Sequence, residues 1–364
     1  MTKIPVNAGN NSYSAMVGSG SLDSAGSLIS DQFGGGRCAI VADTNSGRLF
    51  GERLQQSLTT AQIEPITITI PAGEQFKTLL QAGLICDQMF ASGLDRHSLV
   101  IGLGGGVVGD ISGFVAAVFQ RGVPHVQIPT TLLAMVDSSI GGKTGVNAAA
   151  GKNLIGAVHH PALIIHDVEL LRSLPEREFK QGFAEIIKHA IIADAEMFGQ
   201  LAAAQLSALR TKEATSEKLT TLICRNIEIK ARIVSKDELD RTGDRALLNF
   251  GHTVGHGIER AADYIRMLHG EAISLGMVAA ADISMKRAGL PQDQRDAIAD
   301  VLQRFGLPTR LPDDIRRNEV LDALKHDKKF ERGQIRFVVT PEIGSAYLSS
   351  EVTLEDIREA VAML

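Results

Sequence analysis

"SLVIGLGGGVVGD", Ser98 to Asp110, packs three kinds of backbone into thirteen residues. A β-branched run passes directly into glycines and then into an apolar segment, so a strand, a tight turn and a helix follow one another within it. The preceding chain has the same plan. "RCAIVAD" reads as a strand ending at Asp43 and "EPITITI" as another, while "SGRLFGERLQQSLTTA" and "TLLQAGLICDQMFASG" have helical spacing with glycines at their ends. Strand and helix in turn imply an α/β half built on a parallel sheet. Ligands of such sheets sit beyond the carboxyl ends of the strands, where Asp43 and the glycines fall.

The spacing Gly104-x-Gly106-x-x-Gly109 has the form of a dinucleotide fingerprint. An ordinary fingerprint carries an acidic residue at a strand end about twenty positions later, whereas here that region reads "RGVPHVQIPTT" and the strand-end acid, Asp43, comes earlier. Glycines that simply allow a helix and a strand to approach closely explain the spacing as well.

From about Pro175 the pattern changes to long amphipathic segments, "EREFKQGFAEIIKHAIIADAEMFGQLAAAQLSAL", "SEKLTTLICRNIEIKARIVSKDE" and "RDAIADVLQRFG". The change places a boundary between Ile164 and Glu178, with an α/β half before it and a mainly helical half after it. A short strand pair is expected at "QIRFVVT" and "GSAYLSS".

A chain of 364 residues exceeds what one core usually supports. Its formal charge of −5 gives no basic field, which argues against nucleic acid or an anionic membrane as partner. Three scattered cysteines cannot form a disulfide framework, the N-terminus shows no secretion signal, and glycines with Asp110 interrupt the longest apolar run. These features together predict a cytoplasmic protein.

Three segments carry chemistry. "MVDSSIGGKTGVNAAAGKNLIG" places Asp137, Lys143, Asn147, Lys152 and Asn153 among small residues in what reads as a loop, a setting suited to phosphate or carboxylate oxygens. "GFAEIIKHAII" puts Glu185, Lys188 and His189 on one side of an otherwise apolar helix, which is costly unless they are paired or bound. In "LLNFGHTVGHGIERAADYIRMLHGEA", His252 and His256 stand four residues apart, a spacing shared by Glu185 and His189, and His269 follows. Spacing alone leaves open which of these five would hold a metal.

"PAGEQFK", "GLGGGVVGD", "FQRG", "IPTTLLAMVDSSIGGKTGVN", "GKNLIGA", "GFAEIIKHA", "LLNFGHTVGHGIE", "LHGEA" and "DKK" occur in that order. Together they closely resemble the 3-dehydroquinate synthases, which implies a Rossmann-like NAD-binding α/β domain over residues 1–172, a mainly helical metal- and substrate-binding domain over residues 173–364, and an active site in the cleft between them. The resemblance implies an NAD site formed by Asp43, Glu74, Lys77, Gly105, Gly106, Val107, Asp110, Thr130, Thr131, Leu170, Leu171, Arg172 and Ser173, with Lys143 and Lys152 shared with the substrate. It implies one divalent metal, zinc or cobalt, on Glu185, His252 and His269. The implied substrate is the sugar acid phosphate 3-deoxy-D-arabino-heptulosonate 7-phosphate, held by Arg121, Lys152, Asn153, Lys230, Arg245, Lys328 and Lys329. The resemblance further implies catalytic roles for Asp137, Lys143, Lys188, Asn249 and His256. The implied reaction is a carbon–oxygen lyase sequence of transient oxidation by NAD, β-elimination of phosphate, re-reduction, ring opening and intramolecular aldol closure. A homodimer is implied as well, with Arg121 reaching the neighbouring subunit.

Two departures stand out. Where many relatives read "FHQP", this chain has "VHHP", Val158 to Pro161, and the loop from Lys230 to Arg245 is slightly longer than the family's. Neither removes a matched ligand or cation. The competing readings are another sugar phosphate cyclase, of the 2-deoxy-scyllo-inosose or 2-epi-5-epi-valiolone synthase type, a metal-dependent polyol dehydrogenase, and a non-catalytic sensor. Arg245, Asn249, His256 and the "DKK" lysines favour the acid substrate, a polyol dehydrogenase needs no such array of cations, and a sensor would lack a metal ligand.

Overall fold

The computed structural model describes residues 1–9, 11–209, 214–238, 243–324 and 335–364. They form two compact units, one of Met1–Leu174 with Thr211–Leu239, the other of Pro175–Arg210 with Asp240–Leu364.

In the first unit β1 (Thr2–Val6), β2 (Tyr13–Gly18), α1 (Ala25–Phe33), β3 (Gly36–Asp43), α2 (Thr44–Thr60), β4 (Ile63–Ile70), α3 (Leu79–Ala91), β5 (Leu99–Gly104), α4 (Gly106–Val118) and β6 (His125–Pro129) are followed by the strands β7 (Lys143–Ala148), β8 (Gly151–Val158) and β9 (Leu163–Asp167). The main sheet has seven strands in the order β1-β2-β9-β6-β5-β3-β4, and only the β1–β2 pair is antiparallel. Its central strands are buried on both faces. Along β3, Cys38, Ile40 and Ala42 enter one apolar cluster while Ala39 and Val41 enter another, the period-two alternation of a sheet covered on both sides.

The lysine- and asparagine-bearing segment is a correction to the expectation of a loop. It forms the antiparallel hairpin β7–β8, a separate two-stranded sheet. Its glycines are what make it read as a loop, yet Gly145 and Gly156 face each other across the pair. A Cβ on Gly145 would lie 2.6 Å from the Ile155 oxygen, and one on Gly156 2.2 Å from the Thr144 oxygen.

The long helical stretch after Pro175 divides into α5 (Glu176–Ala193) and α6 (Ala195–Ala203), because Asp194 leaves helical geometry and its carboxylate accepts from the Met197 N–H to cap α6. Next, α7 (Ala214–Lys236) packs in the first unit, against β1 and β2, through a stripe that includes Leu219, Ile223, Ile227 and Val234. Helical periodicity marks this stripe without saying which partner covers it. The second unit continues with α8 (His252–Ala261), α9 (His269–Ala288), α10 (Gln292–Arg304), α11 (Arg317–Leu324), the antiparallel strands β10 (Phe337–Glu342) and β11 (Ser345–Ser349), and α12 (Leu354–Met363). Buried α9 is its axis and touches α5, α8, α10, α12 and β10. Among the described residues no helix is long and apolar enough to cross a membrane.

Candidate functional site

In the first unit the glycines after β5 are largely accounted for by packing. A Cβ on Gly104 would come to 2.6 Å from Val108, and one on Gly109 to 2.9 Å from Gln127 Oε1. Gly105, the N-cap of α4, brings no side-chain acceptor, so the first-turn N–H groups remain available at the carboxyl end of β5.

A polar knot is formed around Lys77. Its ammonium, almost fully buried, donates at 2.5 Å to Asp110 Oδ2 and at 2.5 Å to Asn153 Oδ1. Asn153 sits at φ +55° and donates its backbone N–H to Asn147 Oδ1, while Asn147 Nδ2 donates to Glu74 Oε1 at 2.8 Å. The hairpin and the "PAGEQFK" segment are thereby tied together. Burial raises the Asp110 carboxyl above its ordinary value, although Lys77 works in the other direction. Lys230, on α7, donates to the backbone oxygen of Asp137 at 2.7 Å and to its carboxylate at 2.6 Å.

The other first-unit residues are placed as follows. Asp43 caps α2, its Oδ1 accepting from the Asn45 and Ser46 N–H groups at 2.8 Å. Thr131 Oγ1 caps the next turn by accepting from the Ala134 N–H, and the Thr130 N–H donates to the Gly104 oxygen. Leu170 and Leu171 bury their side chains, so only their backbone is offered to a ligand, and Arg172 pairs with Glu169. Arg121 is exposed in a left-handed conformation at φ +70°, directly after Gln120 at φ +51°. Lys143 is exposed at the start of β7, and Lys152 is half-buried in β8.

In the second unit three glycine contacts assemble a metal-type cluster. Gly270, next to His269 at the start of α9, lies so close to α5 that a Cβ would reach 2.1 Å from the Gln181 oxygen, one turn before Glu185. Gly276 would place its Cβ 2.0 Å from the Gly251 oxygen, and Gly255 would place its Cβ 2.6 Å from Ile273. The first turn of α8, which opens with His252, is therefore pressed against α9.

The result brings Glu185 Oε1 within 3.4 Å of both His252 Nε2 and His269 Nε2. Each imidazole is oriented through its other nitrogen, His252 Nδ1 by the Phe250 oxygen at 3.2 Å and His269 Nδ1 by Glu259 Oε2 at 3.3 Å. Glu185 is fully buried, its Oε2 accepts from Lys188, and its Oε1 accepts no hydrogen bond among the described residues. An unsatisfied carboxylate oxygen flanked by two imidazole nitrogens fits a divalent cation. Ligand separations of this size match a tetrahedral site with bonds of about 2.1 Å.

The electrostatics agree. Burial opposes ionisation of Glu185, but Lys188 and the two histidines outweigh it and hold its carboxyl well below the ordinary range. Burial, with Lys188, keeps His252 neutral and so able to ligate. Burial alone would lower His269, but Glu259 and Glu185 push it up to about 10, and an entering cation would take the place of that proton.

His256 is exposed, its ring 5.3 Å from that of His252 and 6.3 Å from that of His269. It lies outside the Glu185–His252–His269 group, although a second candidate group joins it to Glu259 and His269. Lys188 and His189 are buried on α5, Arg245 is buried and Asn249 half-buried in the turn before α8. Lys328 and Lys329 lie outside the described residues. Glu259 is a further residue at this cluster, and it continues the helical stripe of His252 and His256 three positions on.

Comparison with known proteins agrees along the chain. The family models described as 3-dehydroquinate synthase N-terminal and C-terminal match residues 67–181 and 182–330. The chain is 41% identical over 365 residues to a 3-dehydroquinate synthase of Synechococcus sp., with 99% of each chain covered, and 42% identical to that of Desulforamulus reducens, with 98% of each covered. Among solved structures it resembles 2-epi-5-epi-valiolone synthase from Streptomyces hygroscopicus with NAD+ and Zn2+ bound, at 30% identity and TM-score 0.88 over 96% of both chains. A 2-deoxy-scyllo-inosose synthase complexed with carbaglucose-6-phosphate, NAD+ and Co2+ shares the fold at 24% identity and TM-score 0.89, covering 100% of this chain and 99% of the other.

Proposed function

Because the chain belongs to the 3-dehydroquinate synthase family, we propose that it converts 3-deoxy-D-arabino-heptulosonate 7-phosphate into 3-dehydroquinate and phosphate, with NAD and one divalent metal ion as cofactors. The observation that carries the reading is the buried Glu185 oxygen set between His252 and His269. Glu185, His252 and His269 would hold the metal, and the first unit, through the backbone around Gly105–Val107 with Glu74, Lys77, Asp110 and Thr130, would hold the nucleotide.

A bound metal would supply Lewis acidity at substrate hydroxyls, and bound NAD would supply a reversible hydride acceptor. The chain's own residues do the rest. Lys143, Lys152, Lys230 and Arg245 give cationic donors to the phosphate and carboxylate, and they stabilise the negative charge that grows on phosphate as it departs. Asn249 and His256 hydrogen-bond the substrate and fix its orientation. Glu259 keeps the His269 ring in the tautomer whose Nε2 faces Glu185. A cytoplasmic homodimer, with Arg121 presented to the neighbouring subunit, belongs to the same reading and is checked by sedimentation of the purified chain.

The reaction test mixes the purified protein with heptulosonate 7-phosphate, catalytic NAD and zinc, and follows phosphate, dehydroquinate and NADH absorbance together. Equal phosphate and dehydroquinate without accumulating NADH is the expected result. NADH accumulating without phosphate would mean a simple dehydrogenase, and phosphate release only from a neutral sugar phosphate would mean another cyclase.

A further inference from the structure

The two departures from the family pattern meet in space. His160, from "VHHP", follows β8, and Glu238 follows the end of α7 in the slightly longer loop. His160 Nε2 lies 3.0 Å from Glu238 Oε1, with the imidazole 4% and the carboxylate 25% exposed.

Around this pair the backbone leaves little room. Gly142 has φ +67°, and a Cβ there would come to 2.6 Å from His160 Nδ1. Gly9, at φ +52°, would place its Cβ 2.4 Å from Glu238 Oε2. The Gly141 N–H donates to the Tyr13 hydroxyl at 3.1 Å, the Tyr13 ring lies 5.8 Å from that of His160, and the His159 N–H donates to the Gly142 oxygen at 2.8 Å. The turn so enclosed runs directly into Lys143. Eight residues before Glu238, two turns up α7, Lys230 grips Asp137 at the other end of the same segment.

We propose that His160 and Glu238 are a positioning pair that clamps the Gly141–Gly142 turn against the end of α7 and so sets the direction in which Lys143 leaves it. For its effect on turnover the proposal rests on the reading of Lys143 as a cation that faces the substrate. The pair lies outside the residues assigned to metal and substrate and acts through Lys143.

The test compares His160→Ala, Glu238→Ala, the double variant, and the conservative His160→Gln and Glu238→Gln. Amide hydrogen exchange over residues 139–146 is measured beside kcat and KM. Loss of either partner is expected to speed exchange at residues 141–143 and to raise KM for the sugar acid phosphate roughly tenfold, with the double variant no worse than a single one because the two act as a unit. The glutamine variants keep a hydrogen bond and return both readouts towards the wild type, and they also serve if an alanine variant fails to fold. Unchanged exchange, additive effects, or a lower Tm with KM intact would overturn the proposal. Should the wild-type protein release no phosphate from this substrate, the functional reading fails and the exchange measurement alone decides the pair.

Discussion

The Lys77 knot and the Glu185 cluster are both buried and charged, but they balance their charge differently. Lys77 meets Asp110 and Asn153, and Lys230 meets Asp137, so opposite groups of the protein itself face one another. Glu185 has Lys188 on one oxygen and, on the other, two imidazoles whose second nitrogens are already held by Phe250 and Glu259. In the first region the charges have hydrogen-bonding partners within the protein and make a rigid structural node, whereas Glu185 Oε1 accepts no hydrogen bond among the described residues and faces two imidazole nitrogens, which leaves a place for a cation.

The largest expected effect breaks the second region. Glu185→Ala should lower turnover by at least roughly 10⁴-fold, since a catalytic metal supplies several kcal/mol, and zinc measured on the dialysed protein should fall well below one per chain. Far-ultraviolet circular dichroism should be unchanged. Full activity without bound metal would remove the distinction between the regions.

Next is the first region. Lys77→Met leaves the Asp110 carboxylate buried without its ammonium, and breaking such a pair costs about 3–5 kcal/mol. Urea unfolding should show a stability loss of that size. A Lys77→Met protein as stable as the parent would mean that the knot is not a structural node.

A smaller change sharpens the role of the outer partner. Glu259→Gln should weaken zinc binding about 10- to 100-fold while leaving Glu185, His252 and His269 in place, as read by competition with a chelator. An unchanged affinity would remove Glu259 from the site.

The smallest effect concerns burial without a charged partner. His166 is fully buried in β9, neither ring nitrogen has a hydrogen-bond partner among the described residues, and burial pushes its pKa down to about 3 from 6.5. Its folded value is depressed, so below 6.5 the unfolded chain binds a proton that the folded chain refuses. Stability that is complete above that pH is lost as the pH falls towards 3. Between pH 7 and pH 5 this one group should account for about 2 kcal/mol. In paired urea titrations at those two pH values, His166→Leu should show the smaller drop, and an equal drop would mean that the ring is solvated in the native state.

Much of the first sheet was legible because β3 and β5, covered on both faces, are short apolar runs, and the edge strand β4 shows the alternation of a partly exposed one. β3, β4 and β5 lie where "RCAIVAD", "EPITITI" and "SLVIGLGGG" place them. The β7–β8 hairpin was not legible, since glycines that let two backbones approach look the same in sequence as glycines of a loop. The metal-type ligands illustrate the same limit, because the four-residue interval fits Glu185 with His189 as well as His252 with His256.

Side-chain spacing follows directly from backbone geometry, so the parallel sheet, the helical second half and the set of residues able to do chemistry can be read along the chain. The tertiary structure alone decided which of those residues share a place. It packed α7 in the first unit and, through Gly251, Gly255, Gly270 and Gly276, pressed α5, α8 and α9 close enough for Glu185, His252 and His269 to meet. Ligation depends on distances of a few ångströms between residues far apart in the chain, and those distances are set by how closely helices pack.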